Sequence, residues 1–201
     1  DIIGGAIAWR GEDAGRVLEM YRTLAAEAPP ELTCVAGLRI APPAPWLKPE
    51  VHGKPIVALF VCYSGSLADG EKLLAPIKAF GAPVGDVVQK RPYVSQQTLL
   101  DATQPKGRRY YWKSEYLRPL SDPLIDTLVA HAWRVPTPES YAAVFHMGGA
   151  VGREDPDGSA FEDRRATHAM TIDGVWSETA ASGGCIAWAR GFWEAVRPHS
   201  T

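Results

Sequence analysis

The sequence predicts an α+β fold, one antiparallel sheet of about seven strands with helices packed on a single face. Three observations carry this. Apolar residues recur at i, i+3, i+4 and i+7 in some segments and at every second position in others, and the two kinds alternate along the chain. Two successive strand–helix–strand units, residues 2–40 and 56–89, have similar spacing. The pattern continues as one apparent domain, and 201 residues suffice for one domain with a full core. A doubled ferredoxin-like arrangement fits that spacing and leaves one sheet face uncovered by this chain. A broad uncovered face is usually an interface or a site.

The elements follow in order. Residues 2–9 read as a strand, and residues 12–28 as an amphipathic helix with Val17, Leu18, Tyr21, Leu24, Ala25 and Ala28 on one stripe, stopped by Pro29-Pro30. Residues 32–40 form the second strand, and the proline-rich residues 42–55 a surface loop. Residues 56–63 are apolar throughout, as in a central strand. Ser66, with Asp69 three residues on, caps a helix to about Ala79 that Pro76 should bend or end early. A short strand near 84–89, a helical turn or two over 95–101 and an aromatic strand at 109–117 come next. Ser121-Asp122-Pro123 starts a helix over 120–132. Residues 141–147 form a strand, 148–163 an acidic, glycine-rich loop, 167–176 the last strand and 186–196 a closing helix.

Composition excludes several classes. The chain is 46% hydrophobic and 22% charged, as in an ordinary folded protein. A net charge of −2 with scattered Lys and Arg provides no field for nucleic acid. The longest apolar run, 56–63, is too short to cross a bilayer, so no membrane contact is expected. Cys34, Cys62 and Cys185 are odd in number and widely spaced, which favours free thiols in a reducing, cytoplasmic setting. Asp1 runs at once into a strand, so the chain is expected to be a piece of a longer polypeptide.

The last strand is the most informative for chemistry. Thr167, Ala169, Thr171, Asp173 and Val175 alternate with His168, Met170, Ile172, Gly174 and Trp176. The second set is mostly apolar and should meet the helices; the first points Thr171 and Asp173 onto the uncovered face. Asp173 before Gly174 is equally a turn signal. In strand 109–117, Arg109, Tyr111, Lys113 and Glu115 share a face, either as a row that orients a polar substrate or as a salt-bridged sheet rim. Ser64, between a strand and a helix, is placed like a hydrolase nucleophile, but the flanking glycines and an ordered acid–histidine pair are missing. Gly148-Gly149-Ala150-Val151-Gly152 leads into acidic residues rather than a helix, a poor phosphate site. His146, His168 and Cys185 lack any spacing that argues for a metal.

A family resemblance emerges from Arg91-Pro92-Tyr93, Gln97, Asp101, Gly107 and Tyr111-Trp112-Lys113-Ser114-Glu115-Tyr116-Leu117. It continues through Phe145-His146-Met147-Gly148-Gly149-Ala150, Ser159-Ala160-Phe161-Glu162-Asp163-Arg164 and Trp188-Ala189-Arg190-Gly191-Phe192-Trp193. In this order, over nearly the whole chain, the segments resemble the berberine-bridge-like FAD oxidases, of the vanillyl-alcohol-oxidase type. The resemblance implies that residues 1–201 are a substrate-binding domain that caps a flavin. Its partners would be an FAD-binding domain of the same polypeptide and a small-molecule substrate. FAD would be held mainly by that other domain, and a closing C-terminal segment would also lie outside this chain. It also implies oxidation of an alcohol, amine or sugar-like substrate by hydride transfer to flavin. The family's His-Arg is Asp163-Arg164 here, and its strand Gln or Glu falls on Thr171. Asp173 is then the expected base, with Thr171, Ala169, Tyr111 and Lys113 around the substrate. The competing expectations are a stand-alone ferredoxin-like ligand-binding or dimerisation module and a Ser64 hydrolase.

Overall fold

In the computed structural model, residues 1–153, 158, 161 and 164–201 are described. Residues 154–157, 159, 160, 162 and 163, which make up half of the acidic loop and include the Asp163 position, lie outside the described residues. Eight strands form one sheet: β1 (Ile2–Arg10), β2 (Leu32–Ile40), β3 (Pro55–Tyr63), β4 (Gly85–Asp86), β5 (Gln89–Arg91), β6 (Arg109–Leu117), β7 (Tyr141–His146) and β8 (His168–Trp176). Their order is β4-β1-β3-β2-β7-β8-β6, with β5 also on β1, and every pairing is antiparallel.

The helices are α1 (Ala14–Glu27), α2 (Leu67–Lys78), α3 (Tyr93–Gln97), α4 (Asp122–Ala132), α5 (Ala150–Arg153) and α6 (Ser182–Val196). Ser66 accepts the Asp69 N–H at 3.2 Å and Ser121 the Leu124 N–H, so both expected caps start α2 and α4. Pro76 sits in the last turn of α2, which ends two residues later. The main core fills the space between one sheet face and the long helices: Val17, Leu18 and Tyr21 from α1, Leu74 and Ile77 from α2, Leu124 and Leu128 from α4, Ala189, Phe192 and Val196 from α6. Burying these side chains in a close-packed interior holds the layer in place, at roughly 1.5–3 kcal/mol for each large one.

The doubled arrangement is present with a different repeat. β1–α1–β2 and β3–α2–β4, expected to be the two copies, interleave into one four-strand unit, ordered β4-β1-β3-β2. The second copy is β6–α4–β7 followed by β8–α6, ordered β7-β8-β6, and β2 joins β7 to make a continuous sheet. Ser200 forms an antiparallel bridge to Leu117 on the outer edge of β6.

The face away from the long helices is not bare throughout. Over β1 and β3 the proline-rich stretch, expected to be a surface loop, folds back to bury Ala41, Leu47 and Val51 against Ala8, Ile56 and Ala58 in a second, smaller core. The single strand expected near 84–89 is two short ones, because the Asp86 carboxylate accepts the Val88 N–H at 2.8 Å and draws the chain into a turn.

Candidate functional site

Residues directly paired across an antiparallel sheet point to the same side. Over β2, β7, β8 and β6 the register therefore sets out three rows on the face without long helices. The first is Arg39–Tyr141–Asp173–Trp112, the second Gly37–Ala143–Thr171–Ser114, the third Val35–Phe145–Ala169–Tyr116. Trp112, Tyr116 and Phe145 are 56%, 39% and 38% exposed there. A concentration of bare aromatic surface on one side of a sheet marks an interface or ligand site.

Asp173 lies within this face but is only 3% exposed. Its Oδ2 is buried with no hydrogen-bond partner. Burial pushes the carboxyl up from its ordinary 3.8 to about 6, with a hydrogen bond from Thr171 partly offsetting the rise. Tyr141, its paired neighbour, is raised to about 12, first by burial and then by the Asp173 charge. The phenol is thus a donor at neutral pH. Gln104 Nε2 donates to the Tyr141 hydroxyl, and the Tyr110 hydroxyl donates to the Pro105 carbonyl at 2.6 Å. The segment with Gln104 and Pro105 is thereby tied over this end of the first row. The guanidinium carbon of Arg39 lies 5.8 Å from the Tyr141 ring centroid.

Thr171, Ala169 and Asp173 share this face as expected, and Met170 and Ile172 enter the main core. Tyr111 and Lys113 do not join them. They pair with Gly174 and Ile172, so they point to the helices. The Tyr111 hydroxyl accepts from Arg190 Nε at 3.0 Å, Lys113 Nζ sits 3.9 Å from the Trp193 ring centroid, and Glu115 accepts the Trp193 indole N–H at 3.1 Å. These three side chains lock α6 onto the sheet. Grouping Tyr111 and Lys113 with Thr171 and Asp173 presumes a register one residue away from the real one, and such a slip exchanges the two faces. Trp112, Tyr141, Arg39 and Gln104 hold the positions that Tyr111 and Lys113 were expected to occupy. The aromatic half of the β6 alternation was the signal available for Trp112.

The remaining candidates disperse. Ser64 is exposed, and its hydroxyl donates to the Glu31 carbonyl at 3.3 Å; among the described residues no histidine or carboxylate is its partner. Gly148-Gly149 leads into α5, a helix of only four residues, too short to present an anion site. His146 and His168 rings are 5.8 Å apart, but among the described residues no three metal-binding side chains converge.

The fold and this face define an architectural class, an open, doubled ferredoxin-like sheet with helices on one face. No family model matches the sequence. An FAD-linked oxidoreductase of Dictyostelium discoideum is 26% identical over 121 residues, 59% of this chain and 27% of the relative. Among solved structures, a variant of Physcomitrella patens BBE-like 1 superposes with a TM-score of 0.79 at 16% identity, covering 100% of this chain and 44% of the other. For 6-hydroxy-D-nicotine oxidase from Arthrobacter nicotinovorans the values are 0.73, 14%, 100% and 44%. For berberine bridge enzyme from Eschscholzia californica they are 0.70, 15%, 100% and 41%. These structural likenesses establish the fold. The chain spans about two-fifths of the solved proteins it matches and about a quarter of the curated relative. The resemblance read from the sequence is thus to FAD-linked, berberine-bridge-like proteins in fold and in one sequence relative. No helix among the described residues is long and apolar enough to cross a membrane.

The aromatic face suits the flat ring of a flavin, whereas among the described residues no glycine-rich loop opens a helix of useful length toward a pyrophosphate.

Proposed function

We propose that this chain is the substrate-binding, flavin-capping part of an FAD-dependent oxidoreductase that oxidises an alcohol, amine or sugar-like substrate by hydride transfer. The single observation that carries the reading is Asp173, a buried carboxylate with an unpartnered oxygen beneath a face of exposed aromatic residues. Bound FAD supplies a two-electron acceptor. The chain's own part is to orient the substrate and take its proton. A carbon bearing O–H or N–H can release hydride only as that proton leaves, and a base that titrates near 6 is mostly ionised at pH 7 and still basic enough to accept it. Thr171, one row away on the same face, would orient the same group; its register beside Asp173 supports this. The cover formed by Gln104 and Pro105 has to move for a substrate to reach Asp173. An FAD-binding domain of the same polypeptide would close over the aromatic rows.

The test uses the polypeptide that joins this chain to its FAD-binding domain. Asp173→Asn keeps the size and removes the base. Flavin reduction in stopped flow should slow by about 10²–10⁴-fold at pH 7 with flavin content unchanged. A loss under about threefold would place the base outside this chain. A rate that did not fall below pH 6 in the unsubstituted protein would count against Asp173 as well.

A further inference from the structure

The proton-transfer reading leaves Arg39 unused. Its side chain lines a cavity of about 280 Å³ between the sheet and the segments 42–46 and 99–103. The other walls are apolar, with Pro43, Trp46, Phe60 and Leu100 among them. Arg39 is half-buried, and its one hydrogen bond runs from Nε to the carbonyl of its own neighbour Ile40 at 3.3 Å. No carboxylate pairs with it among the described residues. Shielding lowers its pKa from the ordinary value. A guanidinium has five N–H donors, and among the described residues only the Nε–H has a protein acceptor. Keeping a shielded cation without a counter-charge is costly. The cost is removed when a ligand brings a carboxylate that the planar fork can bind with two parallel hydrogen bonds. Thr103, also in the wall, already donates its hydroxyl to the Leu100 carbonyl at 2.7 Å, which leaves Arg39 to read the charge.

We infer that Arg39 and this cavity form a binding subsite for a carboxylate carried on a small apolar ring. The inference does not rest on the proposed function. The volume, at the lower end for small-molecule pockets, accommodates one ring rather than a chain of sugars. The cavity extends from Arg39 over β3 and β1, whereas Asp173 lies across β7 on β8, two strand spacings or roughly 10 Å to the other side, so the subsite is separate from the carboxylate.

The experiment is calorimetric titration of the 201-residue chain with benzoate, 4-hydroxymethylbenzoate, benzamide and riboflavin 5′-phosphate. Both carboxylates should bind, with benzamide about tenfold weaker or worse. Arg39→Met should weaken the carboxylates by roughly tenfold to a hundredfold, and Arg39→Lys by less, because a charge remains without the fork. Thermal melting of Arg39→Met guards against misfolding: having lost an unpaired shielded charge, it should melt no lower than the unsubstituted chain. Carboxylate binding that is absent, or equal in Arg39→Met, overturns the inference. So does Arg39-dependent binding of the flavin phosphate alone, which would assign the guanidinium to the cofactor.

Discussion

Replacing Asp173 should stabilise the fold, and by an amount that depends on pH. The carboxyl titrates at 3.8 in an ordinary setting and at about 6 in the folded chain. A group whose folded pKa is raised holds its proton more tightly in the native state. Between pH 3.8 and 6 the native state therefore carries more protons than the unfolded one, and stability falls as pH rises through that window. A difference of about two in pKa, at about 1.4 kcal/mol each, amounts to about 3 kcal/mol lost by pH 7. Asp173→Asn has no charge to bury and escapes this loss. Urea unfolding at pH 4, 5, 6, 7 and 8 checks it. The variant should be about 2–3 kcal/mol more stable than the unsubstituted chain at pH 7 to 8, and the two should converge near pH 4. Taking the difference between the chains cancels the other titrating groups. A variant less stable at pH 8, or a difference that did not change with pH, would show that the charged carboxylate is satisfied in the fold. The reasoning about an unpartnered oxygen would then fail.

Two further outcomes follow from the geometry. Lys113→Ala should cost about 0.5–1 kcal/mol in urea unfolding through the lost contact with Trp193, while leaving the substrate KM of the joined polypeptide within twofold. A large KM effect would return Lys113 to the site. Gly5→Ala should cost more than about 2 kcal/mol, because Gly5 has φ 145° and a Cβ there would lie 2.2 Å from the Val87 carbonyl oxygen. A melting temperature equal to that of the unsubstituted chain would mean that the backbone at 85–88 moves freely from β1.

What the sequence shows well is periodicity within one element. The β8 alternation sent Met170 and Ile172 to the core and Thr171 and Asp173 to the other side, because burial enforces period two wherever a sheet has one covered face. Ser66 and Ser121 marked helix starts because a cap is a local hydrogen bond. What it hides is relative placement. The parity of β6 against β8 is a matter of register between residues about sixty apart, and neither strand's own pattern specifies it. Tyr111 and Lys113 were misplaced for that reason. Arg39 and Tyr141 looked like ordinary strand residues, since their meaning comes from meeting Asp173 in one row. α6 starts at Ser182, four residues before the expected 186; Gly183 and Gly184 are weak helix formers, and the buried Cys185 and Ala189 carry the helix through them.

The three rows also explain why a sheet face with so little cover suits a flat partner. Same-face rows are two residues apart along each strand, about 7 Å. The middle row, Gly37–Ala143–Thr171–Ser114, consists of small side chains, whereas Tyr141 and Trp112 rise on one side and Phe145 and Tyr116 on the other. At β2 and β7 this strip is covered, since a Cβ on Gly37 would lie 3.1 Å from the Phe60 ring and Ala143 is buried, so its open part lies over Thr171 and Ser114. Filling that part with larger side chains would have made an ordinary polar or apolar surface. Keeping it small forfeits packing, while Trp112, Phe145 and Tyr116 stay exposed. A planar group lying over the open part would cover both. On the proposed reading that group is the reacting part of the substrate, pressed between this face and the flavin, with Asp173 to one side and Thr171 beneath to handle its proton.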